Sequence, residues 1–288
     1  MKRFFPAIFL FSLIFSPQLF TMDWPSVSAQ MIKNFGWNDE GKPHLGISFN
    51  AEGVLEAADE GELLFRRREN DTASRLPSPL GAWTAVDHRD GIISIYGRYD
   101  DSLQNVPGRV QRNMPLGEAG ISGWSSQKGF YFQLFDRRER RWINPSLIIN
   151  PFEDNRQPVI LSVRLRDEQD RFFNPSQIRT LDQGRYTVIV DAVDTMRGPG
   201  ESPLAPHRII CSVNGREAGI LAFETYSARD GSLRVYRNGL EPAKKIYSPY
   251  PAYEIADLWF SRGQTTLEII AQDIAGNVRN VVYRIVTE

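Results

Sequence analysis

The chain is predicted to fold as an all-β protein, and three observations carry that prediction. Short runs rich in Val, Ile, Leu, Phe and Tyr recur along it, and residues of that shape suit a pleated strand. Glycine and proline, 22 and 18 in number, punctuate those runs. No long stretch repeats its apolar positions with the 3.6-residue period of a helix. The length, 288 residues, leaves room for two domains. With 41% hydrophobic residues and a net charge of −1, the composition is that of an ordinary globular protein. It lacks the basic excess of a nucleic-acid partner.

The elements follow in chain order. Lys2 and Arg3 precede a mostly apolar stretch, residues 4–20, interrupted by Pro6 and Pro17. That stretch is short for a membrane helix, so residues 1–21 are expected to be a signal peptide cleaved near Thr21. Cleavage there keeps Trp24-Pro25 as the expected first strand. No cysteine follows the apolar core to carry a lipid. The expected product is exported, to a periplasm or the cell envelope, with no membrane span after cleavage.

Residues 54–57 and 62–65 flank Ala58-Asp59-Glu60-Gly61, which reads as a hairpin. Residues 81–87 and 92–96 flank His88-Arg89-Asp90-Gly91, a second hairpin. Residues 130–136 and 141–143 flank the charged tip Arg137-Arg138-Glu139-Arg140, and Asn144-Pro145 ends the unit. The segment 150–158, rich in Pro, Asp and Asn, is the expected boundary, giving domains at 22–150 and 151–288. Beyond it, strands are expected at 159–165, 186–192, 208–213, 219–224, 233–236, 265–271 and 278–286. Short strands between turn clusters are the pattern of a β-sandwich. Asp273-Ile274-Ala275-Gly276-Asn277 is similar to the Asp-x-x-Gly-Asn turn of bacterial Ig-like or fibronectin-like modules, so the sandwich is expected to be Ig-like. Segments 70–79 and 197–206 read as exposed loops. The tyrosine-rich segment 244–253 either presents a recognition surface or packs against the first domain. The single cysteine, Cys211, excludes an internal disulfide and, within a strand, reads as a small buried hydrophobe. The arginine runs at 66–68 and 137–141 are either solvated or face an anionic partner.

A resemblance adds to this reading. Lys42-Pro43-His44-Leu45-Gly46-Ile47-Ser48-Phe49, then Gly53-Val54-Leu55-Glu56, then Asp87-His88-Arg89-Asp90-Gly91, then Gly129-Phe130-Tyr131-Phe132-Gln133-Leu134 resemble, in that order, the M23 (LytM-type, lysostaphin-like) zinc peptidases that cut peptidoglycan cross-bridges. Trp24-Pro25, Asn34-Phe35-Gly36, Pro115-Leu116-Gly117-Glu118-Ala119-Gly120 and Ile143-Asn144-Pro145 are similar to further framework motifs of that family. The resemblance spans about residues 24–150 and implies a LytM-type β-sheet domain.

The motifs that carry the family's chemistry depart from it. A catalytic zinc needs three protein ligands and an open water position. In the H-x-G-x-D motif His44 is present but Ser48 replaces the Asp ligand. In the late H-x-H motif Gly129 replaces a catalytic His and Tyr131 a ligand His. In the Y-x-H motif, Tyr96-Gly97-Arg98, Arg98 replaces the other catalytic His. Only His44 remains of that set. The other two of the chain's 3 histidines are His88, in a turn, and His207, in the second domain. Ser48 beside His44 has no orienting acid or oxyanion motif to make it a nucleophile.

No catalytic residue, metal ligand set or cofactor is therefore expected. The resemblance and its departures imply a non-catalytic M23-like protein that binds peptidoglycan or regulates a cell-wall hydrolase such as an amidase. One alternative is a divergent zinc endopeptidase whose ligands lie elsewhere; another is a structural envelope protein. The vacated groove is expected at His44, Ser48, Tyr96, Arg98, Tyr99, Trp124, Phe130 and Tyr131. Either its rings and Arg98 take a sugar or a stem-peptide carboxylate, or these side chains fill the space left by the metal.

Overall fold

The computed structural model describes residues 22–26, 28–69, 76–102, 105–195, 202–248 and 252–288. The expected signal peptide, with its cleavage site, and residues 70–75, 196–201 and 249–251 of the expected loops lie outside the described residues. Within them the chain forms strands and three short 3-10 turns and no α-helix, so the all-β expectation is met. No helix among them is long and apolar enough to cross a membrane.

The spine of the first unit is the strand Gly129–Asp136, whose residues are buried except Phe135. Burial on both faces is why it reads as a nearly continuous apolar run rather than an alternating one. One edge pairs antiparallel with Ile92–Tyr99. The other edge is shared by Ile47–Asn50 and Arg141–Ile143. Ile92–Tyr99 pairs onward with Ala82–Asp87, and that strand with Gly61–Arg67. The hairpins around 88–91 and 137–140 form as expected.

Two expectations fail here. Residues 54–57 and 62–65 make no hairpin: Val54–Glu56 pairs with Pro115–Glu118, and Gly61–Arg67 with Ala82–Asp87 and Arg109–Val110. Ala57 and Ala58 between them are fully buried, and their N–H groups donate to Met114 O and the Tyr96 hydroxyl. The segment is a buried crossing, so the turn signal has no turn to make. Trp24-Pro25 is not a strand either; the first is Gln30–Lys33. Trp24 instead stacks on Phe152 at 4.9 Å and donates its ring N–H to Asn150 O, which holds the start of the described chain against the linker.

Beyond the linker two sheets face each other. One contains Val278–Thr287, Gly263–Gln272, Arg208–Val213 and Arg216–Arg229; the other contains Phe172–Phe173, Val159–Asp167, Gly184–Val193 and Tyr253–Phe260. Ile209, Cys211, Leu267 and Ile269 from the first meet Val163, Leu165, Val188 and Val190 from the second in one core, as the alternation of strand side chains requires. Burial pushes the Cys211 thiol up to about 12, which makes it inert packing. Tyr253–Phe260 escapes the sequence pattern because Glu254 and Asp257 interrupt its apolar run, and it pairs through a register shift.

The two units share a sheet. Arg141–Ile143 also pairs with Arg216–Arg229, placing Trp142 opposite Tyr226. Phe35 sits in the sandwich core. Gly36 follows at φ +86°, and a Cβ there would lie 2.5 Å from the Phe223 ring, so only glycine suits the position. Its carbonyl accepts from the hydroxyls of Tyr247, at 2.8 Å, and Tyr253, at 3.3 Å. Of the two readings of segment 244–253, packing against the first unit is the one these two tyrosines take.

Candidate functional site

Strand register assembles the site. Tyr131 lies opposite Ser48 on one neighbour and opposite Gly97 on the other. His44, four residues before Ser48, returns its ring so that Nε2 lies 3.1 Å from Ser48 Oγ. Tyr131 packs edge-on against that ring at 5.5 Å and donates its hydroxyl to Gln133 Oε1 at 2.7 Å. Gly46 makes room: a Cβ there would stand 2.6 Å from the Tyr131 hydroxyl and 2.4 Å from Phe132 O.

Arg98 arrives by a β-bulge. Ala82 pairs with Tyr99 and Trp83 with Gly97, leaving Arg98 unpaired between them, and it adopts φ +65°. A non-glycine residue seldom takes that conformation, and bulges serve to re-aim a side chain. Here the guanidinium lies over the Tyr131 ring, 5.5 Å from its centroid. Its Nε and the Trp124 backbone N–H both donate to Pro79 O.

The electrostatics follow from depth. Ser48, His44 and Tyr131 are all buried. Burial, with the charges of Lys33 and Arg98 adding to it, pushes His44 down to about 3. It stays neutral at any ordinary pH and is far too weak a base to activate Ser48. Burial also raises the Tyr131 phenol well above its usual range. The cluster is a buried plug of two neutral hydrogen-bonded pairs, His44 with Ser48 and Tyr131 with Gln133, packed together through the two rings.

A zinc ion does not fit these residues. His44 Nε2 faces a serine hydroxyl, the Tyr131 ring fills the adjoining space, and among the described residues no carboxylate or second imidazole is grouped with them. The position of the lost catalytic His is closed by backbone: a Cβ on Gly129 would lie 1.8 Å from Phe49 O. His88 does not rebuild the site. Its Nδ1 lies 2.7 Å from the Glu60 carbonyl and its Nε2 2.7 Å from the Ser94 hydroxyl, so both ring nitrogens are taken.

The expected groove is only partly a surface. Tyr96 and Tyr99 are fully buried and belong to the core of the first unit, as does Phe130; the Tyr96 hydroxyl meets Ala58 N–H and Ser94 Oγ, and that of Tyr99 meets Thr84 Oγ1. The expectation that they line an open groove is corrected by that burial. Arg98 is half-buried, and Trp124 is 73% exposed. Sequence reasoning missed Gln133, the partner that lets a buried tyrosine occupy this place.

A family model matches residues 157–288. No curated protein matches the chain. Among solved structures the chain is similar to M23-type peptidases. One is the catalytic domain of the prophage-encoded M23 protein EnpA from Enterococcus faecalis, with 19% identity over 44% of this chain and 95% of that one and a TM-score of 0.36. Another is the catalytic domain of lysostaphin from Staphylococcus simulans, with 17% identity over 37% of this chain and 80% of that one and a TM-score of 0.32. The chain is also similar to a chain of the SpoIIQ–SpoIIIAH pore-forming complex, with 16% identity over 45% of this chain and 90% of that one and a TM-score of 0.37.

Proposed function

We propose that this chain is an exported, non-catalytic protein that binds peptidoglycan through the rim of a closed peptidase-like site. The observation that carries this reading is the contrast between the plug and its edge. His44, Ser48, Tyr131 and Gln133 satisfy one another out of solvent. Beside them Trp124 and Ile121 stand 73% and 63% exposed, and Arg98 meets Trp124 at the same carbonyl. An exposed tryptophan whose backbone N–H shares the Pro79 carbonyl with the Arg98 side chain offers an aromatic ring and a cation on one rim, which suits a sugar ring carrying a peptide carboxylate. The acid–base and metal machinery for cleavage is absent from the cluster, so binding is the chemistry left to it.

The test is co-sedimentation of the purified protein with cell-wall sacculi, alongside its zinc content after exposure to excess zinc and dialysis. The doubly substituted R98A/W124A protein should lose at least about tenfold in binding while still unfolding cooperatively, since Trp124 is exposed and Arg98 half-buried at the edge of the cluster. Unchanged sedimentation of that variant would remove the rim as the binding surface. Stoichiometric zinc with wall cleavage would overturn the non-catalytic reading.

A further inference from the structure

A second polar cluster lies where the linker meets the sandwich, and it is built unlike the first. Asp154 is in the linker, Asp194 directly follows the strand Gly184–Val193, and Asp273 directly follows Gly263–Gln272. One carboxylate oxygen from each lies within 4.8 Å of the others. Asp194 is 5% exposed and Asp273 1%. None of the ion pairs among the described residues includes any of the three. Three like charges at that depth cannot all ionise without a counter-charge.

An independent feature points to an occupant. His207 has a side chain only 9% exposed, with Nε2 turned toward Glu224 at 3.9 Å. Its other nitrogen, Nδ1, is buried and has no hydrogen-bond partner. A buried polar atom of that kind implies a water or ion beside it. The ring lines the same small cavity as Asp154 and Asp194, about 30 Å³ in volume, which is room for a very small polar guest.

We propose that Asp154, Asp194 and Asp273 bind a hard divalent cation of the calcium type, with His207 Nδ1 accepting a hydrogen bond from a water on the ion, and that the ion pins the linker to the sandwich. An all-carboxylate donor set selects hard cations over zinc or copper. The donors are already oriented. Asn277 donates its backbone N–H and its side-chain amide to the two oxygens of Asp273, and the same amide also reaches Asp154 O. Thr195 N–H and Arg156 N–H hold one oxygen each of Asp194 and Asp154. These bonds leave the second oxygens of Asp154 and Asp194 for a ligand.

The experiment is thermal melting and titration calorimetry on the full purified chain, stripped with EDTA and then given calcium, magnesium, manganese or zinc chloride. Calcium at about a hundredfold over its Kd should raise Tm by about 5 °C with one site per chain. D154N and D194N should each abolish that rise. D194N should also melt at or above the stripped parent, because it removes an uncompensated buried charge, and this outcome separates loss of the site from loss of the fold. Absence of any calcium response in the parent, or an unchanged response in both variants, would overturn the proposal. A parent that responds to zinc but not to calcium would overturn the assigned cation class.

Discussion

The His44 cluster and the Asp194 cluster are buried to similar depths and solve burial in opposite ways. Around His44 the buried groups are neutral and paired, Ser48 with the imidazole and Gln133 with the Tyr131 phenol, and the one charge, the Arg98 guanidinium, sits at the half-buried edge on Pro79 O. Around Asp194 three groups of one sign converge, and no ion pair among the described residues offsets them. A buried polar group costs little once it is hydrogen-bonded, whereas a buried charge needs an opposite charge as well. The first cluster is therefore complete as it stands, and the second calls for a ligand. The pocket around His44 is filled by protein groups, whereas the linker junction gathers three aspartates.

The severest way to break the comparison is to reopen the sealed site. Restoring the family's histidine by Gly129→His should destroy cooperative unfolding of the first unit, because its Cβ would collide with Phe49 O at 1.8 Å, a core overlap worth more than about 4 kcal/mol. A variant that expresses and melts like the parent would show that closure is not built into the backbone.

The pH dependence of stability distinguishes the clusters by sign. His44 titrates at about 3 in the folded chain against 6.5 for a solvated histidine, so its contribution is full above pH 6.5 and is lost as pH falls toward 3. Asp194 is the reverse. Burial, with Asp154 and Asp273 adding to it, raises it from 3.8 to about 7, so its contribution is full below pH 3.8 and is lost as pH rises to 7. Between pH 4 and 6.5, in cation-free buffer, the two slopes oppose. D194N should uncover an added acid loss of up to ~1.4 kcal/mol per pH unit in urea midpoints. A D194N profile that superimposes on the parent would refute the opposition.

A smaller effect probes how self-contained the plug is. Tyr131→Phe strips the donor from Gln133 Oε1 and should cost roughly 1–3 kcal/mol. Adding Gln133→Leu should recover most of it, and additive losses in the double variant would argue against the pair acting as a unit. The smallest expected effect is calcium on Y131F: its Tm rise should equal the parent's, since the two clusters share no residue.

The candidate site was legible in the sequence to the extent that order along the chain predicts neighbours across a sheet. His44, Ser48, Arg98 and Tyr131 come together because Ile47–Asn50 and Ile92–Tyr99 flank Gly129–Asp136. Tyr96 faces the core because it alternates with Gly97, whereas Tyr99, of the same parity as Gly97, is turned into that core by the bulge at Arg98. Arg98 reaches the rim only through the bulge, which no residue-type pattern announced.

What the amino-acid sequence determined alone is what depends on residue identity and near neighbours. The strand-forming runs are of this kind, as are the turns around 88–91 and 137–140 and the residue types at 48 and 131, since no folding turns Ser48 or Tyr131 into an imidazole. Tertiary structure alone decided what depends on distant residues. It chose Pro115–Glu118 rather than Gly61–Arg67 as the partner of Val54–Glu56, filled the vacated centre instead of leaving a groove, and joined the two units through one sheet. It also brought together aspartates at 154, 194 and 273. Pairing across long separations carries no local signal. The cost of a buried charge exists only once distant elements have excluded the water around it.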